Sequence, residues 1–197
     1  MDRTPSARRA TPGDIETVTD IVGLAFAADP LWSHALRALP VAERRPFFNV
    51  FAEGALRYPW TWLLEGGAAT SLWIPPGETE LSPAQEERMF ELAKRLGPDE
   101  SSFLELARRF DAAHPRDEPH YYLSLLGTHP AHRGQGLGMG LLAHNLALID
   151  KEHRAAYLES SNPANNRRYG AAGFQAVGEF SYPEGGPVVT TMWRPAS

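Results

Sequence analysis

The chain predicts a mixed α/β fold in a single domain, residues 1–197. Three observations carry that expectation. Strand-like apolar runs alternate with stretches of helical period, two pairs of runs follow hairpin grammar, and one apolar run passes through a glycine-rich loop into a helix. Hairpins make antiparallel neighbours and strand–helix–strand crossovers make parallel ones, so one sheet is expected to hold both. A length of 197 residues suits one domain with a generous core.

The elements follow in order. Arg8-Arg9-Ala10 is a short extended segment after a flexible tail over residues 1–6. Thr11-Pro12-Gly13-Asp14 joins a turn to capping groups, and Ile15, Val18, Ile21, Val22 and Ala25 then recur at helical spacing. Asp29-Pro30 stops that helix, because the residue before a proline is driven out of the helical region. Residues 31–39 and 43–58 are two further helical stretches, rich in Phe47, Phe48, Phe51 and Leu56, which Pro59 closes. Residues 61–65, the Gly66-Gly67 pair and residues 68–74 form a hairpin, ended by Pro75-Pro76-Gly77. Residues 82–96 and 100–113 read as two surface helices separated by Gly97-Pro98-Asp99. After a polar break at 115–119 come a strongly apolar strand at 121–126, a helix at 138–153, a strand at 155–159, a short helix at 165–172, and strands near 174–182 and 188–193.

Composition excludes several function classes. There are no cysteines, which removes disulfide scaffolds, zinc-thiolate sites and thiol nucleophiles and is compatible with a reducing, cytoplasmic setting. Nineteen basic against twenty-four acidic residues give a net charge of −5, the wrong sign for a partner made of nucleic acid. No apolar run is long enough for a bilayer span, and Met1-Asp2-Arg3-Thr4-Pro5 is not an apolar signal segment, so neither membrane insertion nor export is expected. The histidines show no metal-ligand spacing; His129 and His132 flank Pro130 in a loop, and no metal is expected.

The chemistry is concentrated after residue 125. Leu125-Leu126-Gly127-Thr128 runs into Arg133-Gly134-Gln135-Gly136-Leu137-Gly138-Met139-Gly140, and Leu137, Leu141, Leu142, Leu146 and Ile149 then keep helical spacing. Such a loop aims backbone N–H groups and the positive end of a helix dipole at one spot, where glycines let an anion approach closely. The loop lacks the Gly-Lys-Ser/Thr ending of a Walker motif, and its glycines, spaced two apart, do not fit the dinucleotide fingerprint. Two readings of the glycines alone remain, a phosphate or pyrophosphate cradle and a helix start that merely packs tightly.

Arg133-Gly134-Gln135-Gly136-Leu137-Gly138 resembles the Q/R-x-x-G-x-G/A motif of the GNAT acetyltransferase superfamily. A second, linked stretch resembles its later half: Leu158-Glu159-Ser160-Ser161-Asn162-Pro163-Ala164-Asn165, then Tyr169, then Gly173-Phe174. Within the superfamily, Glu118-Pro119, Leu158-Glu159-Ser160 and the Pro183 to Pro187 turn look like the puromycin N-acetyltransferase type of small-amine enzyme. The resemblance implies a central, mostly antiparallel sheet with a parallel pair at the cofactor cleft, flanked by helices. It implies acetyl-CoA as cofactor, with Leu126, Gly127 and Thr128 along the pantetheine arm and Arg133, Gly134, Gln135, Gly136, Leu137, Gly138 and Met139 around the pyrophosphate. It makes Tyr169 the acid for the departing thiolate and sets Asn165 against the pantetheine; a core aromatic and a helix cap are the plainer roles for these two.

Glu159 is chosen as general base, since a carboxylate ending an apolar strand is expected to be partly buried. A Glu satisfied by amides and a carboxylate that only attracts an ammonium fit equally well, and His120 or Tyr122, on one face of the preceding strand with Ser124, is an alternative base. Trp32, Tyr122, Phe26 and Trp73 are candidate acceptor-pocket walls, with Asp29 and Glu184 steering a cationic amine. Residues 75–118, where the resemblance fails, form a helical insertion expected to shape the acceptor site. The function implied is direct acetyl transfer to a small-molecule amine in a ternary complex. The alternatives are a protein or peptide N-acetyltransferase and an acyl-CoA-binding sensor without turnover. Homodimers are common among such enzymes.

Overall fold

The computed structural model describes residues 6–197. The tail expected at residues 1–6 lies outside the described residues except for Ser6, whose carbonyl accepts from the Glu65 amide at 3.0 Å. One seven-stranded sheet organises the rest, formed by β1 (Ala7–Arg9), β2 (Thr61–Leu64), β3 (Ala69–Ile74), β4 (His120–Thr128), β5 (Ala155–Ser160), β6 (Gln175–Ser181) and β7 (Val188–Arg194) in the order β1-β2-β3-β4-β5-β7-β6. Only β4 and β5 are parallel; every other pair is antiparallel. The helices are α1 (Ile15–Phe26), α2 (Pro30–Ala35), α3 (Arg45–Ala55), α4 (Pro83–Ala93), α5 (Glu100–Ala113), α6 (Leu137–Lys151) and α7 (Asn166–Ala171).

Each face of the sheet has its own core. Val18 and Val22 of α1, Phe47 and Phe48 of α3, and Phe103 and Leu106 of α5 pack on Leu72, Ile74 and Leu125. Leu141, Leu142, Leu146 and Ile149 of α6 pack on the other face against Trp62, Trp73, Leu123 and Leu158. Trp73, expected in an acceptor pocket, is fully buried in this second core, where its indole Nε1 donates to Asn145 Oδ1 at 3.1 Å. It lies across the sheet from Trp32.

A bulge in β4 sets up the site. Leu72 pairs with Leu125 and Trp73 with Leu123, so Ser124 is an extra residue in the strand. Strict alternation would put Leu123 and Leu125 on one face, yet Leu123 packs with α6 and Leu125 with α1 and α3. The parallel ladder also ends here, running only from His120 opposite Ala155 to Leu123 opposite Leu158. Beyond it the strands part, leaving residues 124–128 of β4 unpaired on their β5 side.

Candidate active site

A cleft of about 1600 Å³ opens where β4 and β5 separate. Single small-molecule sites usually occupy about 300–1,000 Å³, so there is room for two ligands. One end is glycine-rich. The 15-residue helix α6 starts after Gly134 and Gly136, both at positive φ (81° and 73°), a backbone that L side chains adopt only with strain. The amides of Leu137, Gly138 and Met139 have no partner inside the helix, and all three residues line the cleft at the helix's positive pole. Gly138 sits so close to β4 that a Cβ there would lie 2.5 Å from Thr128 Oγ1. The Arg133 guanidinium donates to the Ala25 carbonyl at 2.8 Å, which ties the loop to the last turn of α1.

Leu126, Thr128, Arg133, Gly134, Gly136, Leu137, Gly138 and Met139 all line the cleft. Gly127 does not: its missing side chain faces α1, where a Cβ would be 3.3 Å from Ala25 Cβ and 3.5 Å from Val22 Cα. Gln135 is exposed and also lies outside the lining. Asn165 and Tyr169 line the wall contributed by α7 and the turn before it. Burial pushes the Tyr169 phenol up to about 12, with the Asp29 charge adding to it, so the phenol stays protonated at neutral pH. Asn165 Oδ1 accepts from Arg168 at 2.9 Å.

The other end is acidic and aromatic. The Glu159 side chain is 2% exposed, its Oε1 has no hydrogen-bond partner, and His114 Nδ1 is 3.9 Å away. Burial and the Glu159 charge drive the phenols of Tyr122 and Tyr157 far above their ordinary value. Glu80, which sequence reasoning passed over, lies in the same place; burial pushes its carboxyl up to about 7, the Glu159 charge adds to this, and Ser124 and His114 oppose it. His120 Nδ1 lies 2.7 Å from the Glu118 carbonyl, which can only accept, so that nitrogen carries a proton; burial lowers the ring's basicity.

Trp32 lines the wall, edge-on to Phe48 and Phe51. Asp29 lines it too, but its carboxylate is engaged: Oδ1 caps α2 by accepting from the amides of Leu31 (3.0 Å) and Trp32 (3.2 Å), and Oδ2 accepts from Ser161 Oγ at 2.9 Å. Glu184 is exposed at the β6–β7 turn and is not among the lining residues. The structure therefore gathers Glu159, Tyr122 and Trp32 around one space, adds Glu80 and His114, and leaves Glu184 out.

Residues 79–174 match the model of the acetyltransferase (GNAT) family. That segment belongs to the GNAT acetyltransferase family. The whole chain aligns over 99% of its length with 98% of a Corynebacterium glutamicum structure described as histone acetyltransferase HPA2 and related acetyltransferase, at TM-score 0.66 and 24% identity. It matches arylalkylamine N-acetyltransferase 2 from Aedes aegypti over 99% of this chain and 100% of that one, with TM-score 0.75 and 13% identity. Polyamine N-acetyltransferase from Drosophila melanogaster aligns over 96% of this chain and 99% of its own, with TM-score 0.64 and 18% identity. At such identities the shared property is the fold. The sheet is mixed, as the order of elements predicted, with the single parallel pair that the resemblance implied.

Proposed function

We propose that this GNAT protein transfers the acetyl group of acetyl-CoA to the amine of a small molecule by direct transfer within a ternary complex. The observation that carries the reading is the two-ended cleft, with a helix N-terminus at one end and buried carboxylates at the other. Acetyl-CoA supplies an activated acetyl thioester and a pyrophosphate. The amides of Leu137, Gly138 and Met139, with Arg133 beside them, would hold the pyrophosphate. The unpaired edge of β4 at Leu126 and Thr128 would hold the amide-bearing arm as an added strand does. Tyr169 keeps its phenolic proton at neutral pH and is the chain's donor towards a departing thiolate. Glu159 faces the cationic acceptor, and Asn165 lines the coenzyme wall.

Depth supports a small amine over a polypeptide acceptor. A carboxylate 2% exposed is reached by a slender amine, and Phe26, Trp32, Phe51, Phe103 and Phe110 form apolar walls for the rest of such a molecule. Residues 75–118, read from the sequence as an insertion but matched by the family model from residue 79 on, supply part of that wall. The test is acetyl-CoA-dependent release of free thiol, followed with a thiol-reactive dye across puromycin, phenylethylamine, tryptamine, agmatine, spermidine and a tripeptide. A chain with no cysteine adds no thiol background. Release that depends on one of the amines supports the reading; release only with the tripeptide overturns the small-molecule acceptor. Silence with every acceptor overturns the transferase.

A further inference from the structure

The loop that carries Glu80 is held with unusual care. The Glu80 carbonyl lies against α3, where a Cβ on Gly54 would come within 2.3 Å of it, so only glycine lets the loop settle there. One residue back, the Thr79 carbonyl accepts from the Arg57 guanidinium and from the Tyr58 hydroxyl, the latter at 2.9 Å. Arg57 Nε is anchored in turn on the Gly54 carbonyl at 3.0 Å. The end of α3 thus clamps the chain on either side of one peptide and fixes where Glu80 enters the cleft.

The groups that act on Glu80 there come from three elements: Tyr122 and Ser124 of β4, Glu159 of β5, and His114 at the end of α5. Among the described residues neither carboxylate has an arginine or lysine in ion-pair range, and Glu159 keeps a buried oxygen without a partner. Two carboxylates deep in a cleft and short of a counter-charge make a receptor for a cation.

Resting on the transferase reading above, we infer that Glu80 and Glu159 jointly bind the acceptor as an ammonium, and that Glu80 removes the proton that blocks its nitrogen from acting as a nucleophile. In that step one N–H bond breaks and one O–H bond forms on the Glu80 carboxylate, leaving a neutral amine beside an ionised Glu159. The pair is unequal for a structural reason. Glu159 ends β5 beside the phenols of Tyr122 and Tyr157, whereas Glu80 enters from the loop after β3, with burial and the Glu159 charge outweighing Ser124 and His114. Burial beside a second carboxylate keeps Glu80 near neutrality in its titration, the condition for a base working around pH 7. His114, 28% exposed, brings its Nδ1 to 3.9 Å from Glu159 Oε1.

The experiment compares the full chain with Glu80→Gln. Calorimetric titration with phenylethylamine at about pH 6, in two buffers of different ionisation heat, should show close to one proton expelled per amine bound, because the ammonium forces Glu80 to ionise; Glu80→Gln should expel none. In turnover of the best amine from the panel, Glu80→Gln should lose about 100-fold in kcat/KM at pH 7 and regain most of it above about pH 9.5, where the amine is already neutral. Its acetyl-CoA affinity should be unchanged. Gly54→Ala, which displaces the loop but retains the carboxyl group, should move the same pH profile by a smaller amount. Proton-neutral binding by the unmodified chain, or a wild-type pH profile in Glu80→Gln, would overturn the inference while leaving the transferase intact. An unmodified chain that releases no thiol with any acceptor overturns the transferase and the inference together.

Discussion

A carboxylic acid sunk beside a second one folds more readily with its proton on, so Glu80 links stability to pH. Its folded value of about 7 lies above the 4.5 of an ordinary glutamate. The stabilisation from the bound proton is therefore complete below about pH 4.5 and lost as pH rises through 7. Glu80→Gln should be more stable than wild type at pH 8, by no more than about 3.4 kcal/mol and with a higher melting temperature, and should melt at about the same temperature near pH 4.5. A lower melting point at both pH values would mean that the carboxylate is needed to hold the loop. Tyr169 makes a contrasting prediction. Phe in its place keeps the ring packed edge-on to Phe174, 6.3 Å away, but carries no proton. Tyr169→Phe should cut kcat by about 10²–10⁴-fold with acetyl-CoA affinity spared, and an unchanged kcat would assign the thiolate's proton to another group.

Elements meet most tightly where α6 starts. Gly138→Ala places a methyl 2.5 Å from Thr128 Oγ1, so helix and strand must separate. The variant should bind acetyl-CoA about 10-fold more weakly by isothermal titration, and Thr128→Ala should restore much of the loss, a coupling read from the double-mutant cycle. If the single variants simply add, the contact is not the cause. Further along the same helix, buried Asn145 Oδ1 accepts from Ser71 Oγ at 2.7 Å and Trp73 Nε1 at 3.1 Å. Asn145→Ala orphans both donors and should cost about 2–5 kcal/mol in denaturant melts. Elements were also the scale at which the sequence was most readable. The apolar period of α6, the Gly66-Gly67 turn and the glycine loop are local patterns with local causes; the mixed sheet followed from their order, and its single parallel pair from the family resemblance. The bulge at Ser124 was not readable, because one extra residue in a strand leaves no mark on composition and is defined only by its partner across the ladder. It changes which face the later residues of β4 present, which a period-2 reading places wrongly.

For the molecule as a whole, the sheet is joined at its middle by the short β4–β5 ladder, from His120 to Leu123 on one side and Ala155 to Leu158 on the other. A ligand lying across the gap beyond that ladder would tie the two halves together. At 100 times its dissociation constant acetyl-CoA should stabilise the fold by about 2.7 kcal/mol, with slower amide exchange in both β4 and β5. Protection confined to α6 would place the coenzyme outside the gap. At this scale the acceptor end was the least readable part of the sequence. Glu80 follows an irregular turn after Pro75-Pro76-Gly77, and His114 ends a helix more than thirty positions later; only the tertiary fold sets both beside Glu159. Asp29 and Glu184 looked alike as acids near turns, yet one is absorbed by a helix cap and the other faces solvent.

The unpaired stretch of β4 has one more consequence, for how the protein stays apart from its neighbours. A bare strand edge is a template that other chains can join, and proteins usually blunt it with charge, proline or a covering segment. Here the open edge at residues 124–128 lies inside a cleft, between the diverging β5 and the wall formed by α1. A full polypeptide strand carries side chains on both faces and is too thick for that slot, whereas a slim chain of amides and methylenes is not. The walls admit the ligand by its girth, and the same walls guard the edge against aggregation.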